Sequence, residues 1–112
     1  MNIINEANEL FLKKKFEKAI EKYEIILSDE PDNLIALNNK GYSLSKLRNY
    51  SMALSCYDKC LKKNPHDKTV LINKISLFRK TGKLYSALEL CENLLKKNPD
   101  EIIVLYHKLR IF

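Results

Sequence analysis

The sequence predicts an all-α fold, built as a stack of helix-turn-helix repeats. Its 112 residues include only two Gly and three Pro, too few turn residues for a β-rich or loop-rich fold. Apolar residues recur at helical spacing along the chain. The three prolines, Pro31, Pro65 and Pro99, are 34 residues apart. A fixed period of this size is typical of a repeat architecture.

The same period relates many other positions. The string Leu-Lys-Lys-Asn-Pro occurs at 61–65 and again at 95–99. Other positions related by 34 residues are Ala19, Ala53 and Ala87; Tyr23, Tyr57 and Cys91; Leu27, Leu61 and Leu95; and Ile3, Leu37, Leu71 and Leu105. We therefore expect a single repeat domain over 1–112, with repeats at 1–33, 34–67 and 68–101 and a partial repeat or capping helix at 102–112.

Each repeat divides into two amphipathic segments. The pattern predicts seven helices, at roughly 2–14, 16–28, 34–47, 50–63, 68–81, 84–97 and 101–112. Helices this short are marginal alone in water, so they depend on stacked neighbours. Each proline follows a polar helix end and blocks its continuation, which places a turn between repeats.

The middle repeat carries a recognisable set of residues, namely Leu37, Lys40-Gly41, Leu44, Ala53, Tyr57 and Pro65. They resemble the signature of the tetratricopeptide repeat family, in which a large apolar residue is followed by Leu-Gly, Tyr, Ala, Phe and a closing Pro. The resemblance covers the whole chain, as three full repeats plus the first helix of a fourth. It implies a right-handed superhelical solenoid of antiparallel helix pairs, which holds an extended peptide in a concave groove lined by the first helix of each repeat.

The chain departs from the family in one slot. Where the family usually has Leu, this sequence has Glu6, Lys40, Lys74 and Lys108. We expect these side chains to lay their alkyl parts on a neighbouring helix and to keep their charges in water.

Asn5, Asn39 and Asn73 occupy one slot of three consecutive repeats and would form a ladder along the groove. An Asn amide offers both a donor and an acceptor, so it can pair with a peptide backbone of any sequence. Similar ladders hold peptide backbones in related repeat proteins, although the slot could equally serve hydrogen bonds between repeats. The candidate groove residues are Asn5, Asn8, Asn38, Asn39, Tyr42, Lys46, Ile72, Asn73, Ser76, Arg79, Tyr106 and Arg110.

Some members of the family bind the C-terminal carboxylates of chaperones with Lys, Asn, Asn, Lys and Arg. The corresponding slots here hold Ile4, Asn8, Asn39, Thr69 and Asn73. Because every cation is missing, we expect a protein or peptide partner other than a chaperone tail.

The net charge of +6 raises the possibility of nucleic-acid binding. Lys62-Lys63 and Lys96-Lys97, however, close second helices, where cations favour the helix C-terminus. Lys46, Arg79, Lys80 and Arg110 project from groove-lining helices and would suit an acidic protein partner. An RNA-binding helical repeat remains a minor alternative, although the RNA-binding pentatricopeptide family has a period of 35 residues.

No motif for catalysis or for a cofactor is present in the sequence. The three cysteines, Cys56, Cys60 and Cys91, are scattered along predicted helices and lack the paired spacing of a zinc site. We expect reduced thiols in a reducing, cytoplasmic compartment, no metal, no cofactor and no enzymatic activity. The longest apolar run, 102–106, is far short of the ~20 residues of a membrane helix.

The last twelve residues are unusually apolar for the end of a solenoid, which normally presents a polar outer face. Ile102, Leu105, Leu109 and Phe112 are the candidates for an exposed apolar surface. Two explanations stay open: the chain is a fragment of a longer repeat array, or two copies associate through this helix.

Overall fold

A computed structural model describes residues 2–111, and this range contains seven α-helices and no strand. They are α1 (Ile3–Leu12), α2 (Phe16–Asp29), α3 (Leu34–Lys46), α4 (Tyr50–Lys63), α5 (Lys68–Lys80), α6 (Leu84–Lys97) and α7 (Ile102–Ile111). The predicted all-α fold is confirmed, and every predicted helix is present with its ends shifted by at most two residues.

The first helix of each full repeat begins at a capping side chain. The side-chain oxygens of Asn2, Asn33 and Asp67 accept hydrogen bonds from backbone N–H groups of α1, α3 and α5, at 3.0, 3.0 and 3.2 Å. These bonds satisfy donors that have no partner within the helix.

Two residues after each of these three helices ends, one residue adopts the left-handed conformation. Lys14, Arg48 and Gly82 have φ values of 61°, 66° and 77°. In each case the N–H of the next residue donates to the carbonyl five residues earlier, at 2.8 to 2.9 Å, as in a Schellman motif. This turn ends α1 at Leu12, two residues before its approximate predicted end.

The chain divides into two compact units, residues 1–65 and residues 66–112. The first unit contains α1 to α4, and the second contains α5 to α7. Part of the core of the first unit is a cluster of small residues around one aromatic ring, with Ala7, Ala19, Tyr23, Ile26 and Ala36 all buried. The small side chains bring α1, α2 and α3 close together, and Tyr23 fills the space between them.

The core of the second unit contains Ile75, Ala87, Cys91, Leu94 and Val104. Here a cysteine takes the slot of Tyr23 and Tyr57, and Ile75 takes the slot of Ala7 and Gly41. A smaller residue on the second helix therefore accompanies a larger residue on the first.

All three cysteines are buried, and none of them forms a disulfide bond. Burial raises the pKa of the Cys56 thiol, and it also raises that of Cys91. Both groups remain protonated at neutral pH and behave as small apolar residues in the helix packing.

Candidate functional site

A polar network joins the first three helices of the first unit. The Tyr23 hydroxyl on α2 donates to Asn8 Oδ1 on α1 at 2.6 Å. Asn39 Nδ2 on α3 donates to the same Asn8 oxygen at 3.3 Å and to the Tyr23 hydroxyl oxygen at 3.1 Å. Burial raises the pKa of Tyr23, and the hydrogen bond from Asn39 partly opposes this shift. Tyr23 is therefore a neutral donor that fixes the orientation of both amides.

The network leaves one donor and one acceptor of the two amides unused. Its three hydrogen bonds engage Asn8 Oδ1 and Asn39 Nδ2. Among residues 2–111, no hydrogen bond engages Asn8 Nδ2 or Asn39 Oδ1. These are the two kinds of group that a peptide backbone pairs with. The bond between Asn39 and Asn8 is also the inter-repeat contact that the sequence offered as an alternative role for the Asn slot.

An aromatic cluster lies on the same helices. The ring of Tyr42 is 5.3 Å from that of Phe11 and 6.2 Å from that of Phe16, measured between centroids. The Nζ atom of Lys46 lies 5.2 Å from the centroid of Tyr42. All three rings are half-buried and Lys46 is exposed. Such a surface offers an apolar contact with a cation at its edge.

In the second unit the polar contact between helices is different. Arg79 Nη1 on α5 donates to His107 Nδ1 on α7 at 2.8 Å. Burial lowers the pKa of His107, and the Arg79 guanidinium lowers it further. The Tyr106 ring lies 5.7 Å from the His107 ring, and the Arg110 guanidinium lies 5.9 Å from the Tyr106 centroid. A neutral imidazole thus accepts a hydrogen bond from a cation, within a group of aromatic and basic residues.

His107 was missed as a candidate site residue by sequence reasoning. It lies 34 residues after Asn73 and so continues the slot of Asn5, Asn39 and Asn73. The 34-residue spacing is the signal that indicates this position, but its residue type differs from the asparagines of the three earlier repeats.

The predicted groove residues occupy the first helices of the repeats in both units. Those of the first unit are Asn5 and Lys46, which are exposed, and Asn8, Asn38, Asn39 and Tyr42, which are half-buried. Those of the second unit are Ile72, Asn73, Ser76 and Arg79, which are half-buried, and Tyr106 and Arg110, which are exposed. Of the predicted groove residues, Asn8 and Asn39 are joined by a hydrogen bond.

The predicted apolar surface of the last helix is present. Ile102, Leu105 and Leu109 are exposed, whereas Phe112 lies outside the described residues. In the described part of the chain, no three His, Cys, Asp or Glu side chains are grouped so that they could hold a metal ion. No helix within it is both long and apolar enough to cross a membrane.

Paired helices repeated every 34 residues, with polar side chains joining their first helices, define a helical-repeat class of fold. Residues 35–67 match the family model of the tetratricopeptide repeat. This match supports the predicted tetratricopeptide repeat in the second repeat, and the seven paired helices agree with that fold across the described chain. No curated protein matches the chain in sequence.

Several solved structures share the fold. The second TPR domain of human RPAP3, in complex with the HSP70 peptide SGPTIEEVD, is 19% identical with a TM-score of 0.86, over 97% of this chain and 91% of that one. The TPR2B domain of yeast Sti1, in complex with an Hsp70 peptide, is 19% identical with a TM-score of 0.87, over 97% and 92%. A tetratricopeptide repeat protein from Parabacteroides merdae is 22% identical with a TM-score of 0.89, over 97% and 43%.

Proposed function

We propose that this protein is a non-catalytic interaction scaffold, which binds an extended peptide segment of a partner protein on the first helices of its repeats. The network of Tyr23, Asn8 and Asn39 carries this proposal. It holds an amide donor, Asn8 Nδ2, and an amide acceptor, Asn39 Oδ1, on one surface of the first unit, where a peptide C=O and N–H can pair with them.

The aromatic cluster supplies apolar contact area, which contributes binding free energy beyond that of two hydrogen bonds. A hydrogen bond contributes a net ~0.5–1.5 kcal/mol, whereas micromolar affinity requires about 8 kcal/mol. Most of the binding free energy must therefore come from apolar burial. Phe11, Phe16 and Tyr42 offer that surface, and Lys46 at its edge favours a segment with an acidic residue.

The fold supports peptide binding, since similar structures of RPAP3 and Sti1 domains hold chaperone peptides. The partner of this chain is expected to differ. Ile4 and Thr69 stand in two of the slots where the chaperone-binding members carry lysines, and neither side chain can pair with a carboxylate in an ion pair. We propose a protein segment read through its backbone and an apolar side chain.

Alanine substitution tests this proposal. With a partner captured from the source organism, Asn39→Ala and Tyr42→Ala should each weaken binding about tenfold, since each removes roughly 1.4 kcal/mol of contact. Asn93→Ala, which removes an exposed amide from a second helix, is the matched control. Unchanged affinity in both groove variants, with helical content intact by circular dichroism, would refute peptide binding at this surface.

A second candidate function is self-association through the exposed apolar residues Ile102, Leu105 and Leu109 of α7. Monomeric proteins rarely expose several large apolar side chains side by side. Light scattering measures self-association directly. A measured mass equal to that of one chain, at a protein concentration of tens of micromolar, would exclude self-association.

A further inference from the structure

Two tight turns of the first unit lie side by side at one edge of its helices. One joins α1 to α2 and the other joins α3 to α4. The ring of Tyr42, near the end of α3, is 5.3 Å from that of Phe11, near the end of α1, and 6.2 Å from that of Phe16, at the start of α2. We use the name turn edge for five residues of these turns, namely Leu12, Lys14, Lys15, Leu47 and Arg48.

The turn edge is basic. Asp and Glu are absent from residues 10–16 and from residues 43–57. Lys14, Lys15 and Arg48 are all exposed. Among the described residues, no ion pair involves any of these three cations. The turn edge therefore presents three positive charges that the first unit does not neutralise by direct contact.

Acidic residues of the first unit are placed elsewhere. Glu9 is paired with Lys13 at 2.9 Å, and Glu17 lies in the first turn of α2. The opposite edge, where α2 is followed by α3, contains three acidic residues within residues 29–32. Positive and negative charges are thus segregated to opposite edges, and such a distribution orients the unit toward an anionic surface.

Lys14 and Arg48 hold their positions despite an unfavourable backbone conformation. Their φ values are 61° and 66°, in the left-handed region that glycine adopts most readily. The equivalent residue of the third repeat is Gly82. A cation therefore stands in each turn of the first unit where a glycine would be less strained, which indicates that the charge itself has a use.

Large apolar side chains protrude beside these cations. Leu12 is 78% exposed and Leu47 is 42% exposed. The turn of the second unit has a similar composition, since residues 76–88 contain no Asp or Glu and Tyr85 is 90% exposed. Exposed leucine and tyrosine next to lysine and arginine are typical of surfaces that contact the boundary between membrane and water.

We propose that the turn edge binds the anionic surface of a lipid membrane. Its cations contact the phosphates of the lipid head groups, and Leu12 and Leu47 enter the boundary between head groups and acyl chains. A nucleic acid also offers phosphates, but it offers no comparable apolar layer for the leucines. An acidic protein would need a separate pocket for each protruding leucine, whereas a membrane accepts them in any register.

This surface differs from the proposed peptide site, which uses Asn8, Asn39 and the aromatic cluster. It also does not depend on which helices flank the first unit. Further helix pairs of a solenoid stack beside the existing ones, so they would lengthen the turn edge without covering it. The membrane contact thus adds a second function to the peptide-binding proposal.

Flotation with lipid vesicles tests the proposal on the full chain. We expect binding to phosphatidylcholine vesicles that contain phosphatidylserine but not to phosphatidylcholine alone, and we expect added salt to weaken it. Lys14→Gly and Arg48→Gly copy Gly82 and relieve the left-handed conformation, so both should keep the stability of the fold. Each should weaken vesicle binding about fivefold, the contribution of one basic residue near an anionic surface.

Matched variants separate charge, apolar contact and folding. Lys14→Arg keeps the charge and should bind like the unmodified chain, and Lys62→Gln, which removes an exposed cation near the end of α4, should have little effect. Leu12→Ser should weaken vesicle binding. Ile25→Ser should not, although Ile25 is 49% exposed on α2. Circular dichroism verifies that each variant remains helical.

Three results would overturn the proposal. They are no binding to anionic vesicles at low salt, equal binding to anionic and neutral vesicles, and vesicle binding that the double variant Lys14→Gly/Arg48→Gly leaves unchanged. Binding of single-stranded RNA without any vesicle binding would assign the cations to a nucleic acid instead. Because Asn39→Ala and Tyr42→Ala leave the turn edge intact, they should not alter vesicle binding, and the two proposals fail separately.

Discussion

At the scale of single residues, His107 is held in its neutral form by its surroundings. It is buried against α5, and Arg79 donates to its Nδ1 atom at 2.8 Å. A proton on Nδ1 would remove the acceptor and place two cations together. Burial first, and the Arg79 charge second, lower the pKa of His107 below the ordinary value of 6.5.

A pH dependence of stability follows from this shift. Because the pKa of His107 is lowered in the folded state, the unfolded chain binds more protons as the pH falls. The contribution of His107 to the free energy of unfolding is therefore fully present above pH 6.5. It is lost as the pH falls from 6.5 through the folded-state pKa. We expect urea denaturation midpoints to fall between about pH 7.5 and about pH 5.5. His107→Asn, which continues the Asn slot, should flatten this dependence.

His66→Asn is the control for that experiment. His66 is exposed, with its Nδ1 atom 3.3 Å from Lys97 Nζ. This variant should keep the slope of the unmodified chain. A slope that survives His107→Asn would show that other groups are responsible.

At the scale of elements, the distance between the two helices of a repeat is set by pairs of residues of opposite size. Gly41 lets α3 approach α4 so closely that an added Cβ would lie 2.8 Å from Tyr57 Cε1 and 3.1 Å from Cys56 Cβ. Both neighbours are buried, with little room to move. The second helix pair of the chain therefore depends on the absence of a side chain at residue 41.

Gly41→Ala should accordingly destabilise the protein by ~1–3 kcal/mol through overpacking. Tyr57→Cys, which copies residue 91 of the next repeat, should also destabilise it by leaving a cavity. In the double variant the new methyl group enters that cavity. The double variant should therefore lose less stability than the sum of the losses in the two single variants. Urea denaturation of the four proteins measures the difference, and strictly additive costs would contradict the paired-size explanation.

At the scale of the whole molecule, each of the two compact units has a buried cluster of its own. In the second unit, α6 contributes Ala87, Cys91 and Leu94 to that cluster, whereas α7 contributes Val104. Repeat proteins are stabilised by contacts between neighbouring elements. The stability of α7 is therefore expected to be lower than that of α6.

Hydrogen exchange checks this expectation. Amides of α7 should exchange faster than those of α6, because an uncovered helix opens locally at lower free energy. Equal protection of α6 and α7 in the free chain would contradict the expectation.

The 34-residue period and the apolar spacing, read from the sequence alone, determined the all-α fold, the seven helices and their boundaries to within two residues. These features depend on side-chain periodicity within each helix, which the order of residues records directly. Early termination of α1 was not predictable in this way. Lys14 occupies a left-handed position that lysine seldom adopts, although Gly82 two periods later marks the same turn.

The tertiary structure decided how the candidate groups are used. The sequence identified Asn39 but not its partners, Asn8 and Tyr23, which lie 31 and 16 residues away along the chain. It did not single out His107, whereas the fold brings this residue to Arg79, 28 residues distant along the chain. Such contacts depend on the distance and rotation between packed helices, and these are fixed by the volumes of buried residues such as Gly41. Periodicity places a residue on a helix face, but only the packing of helices determines which groups meet there.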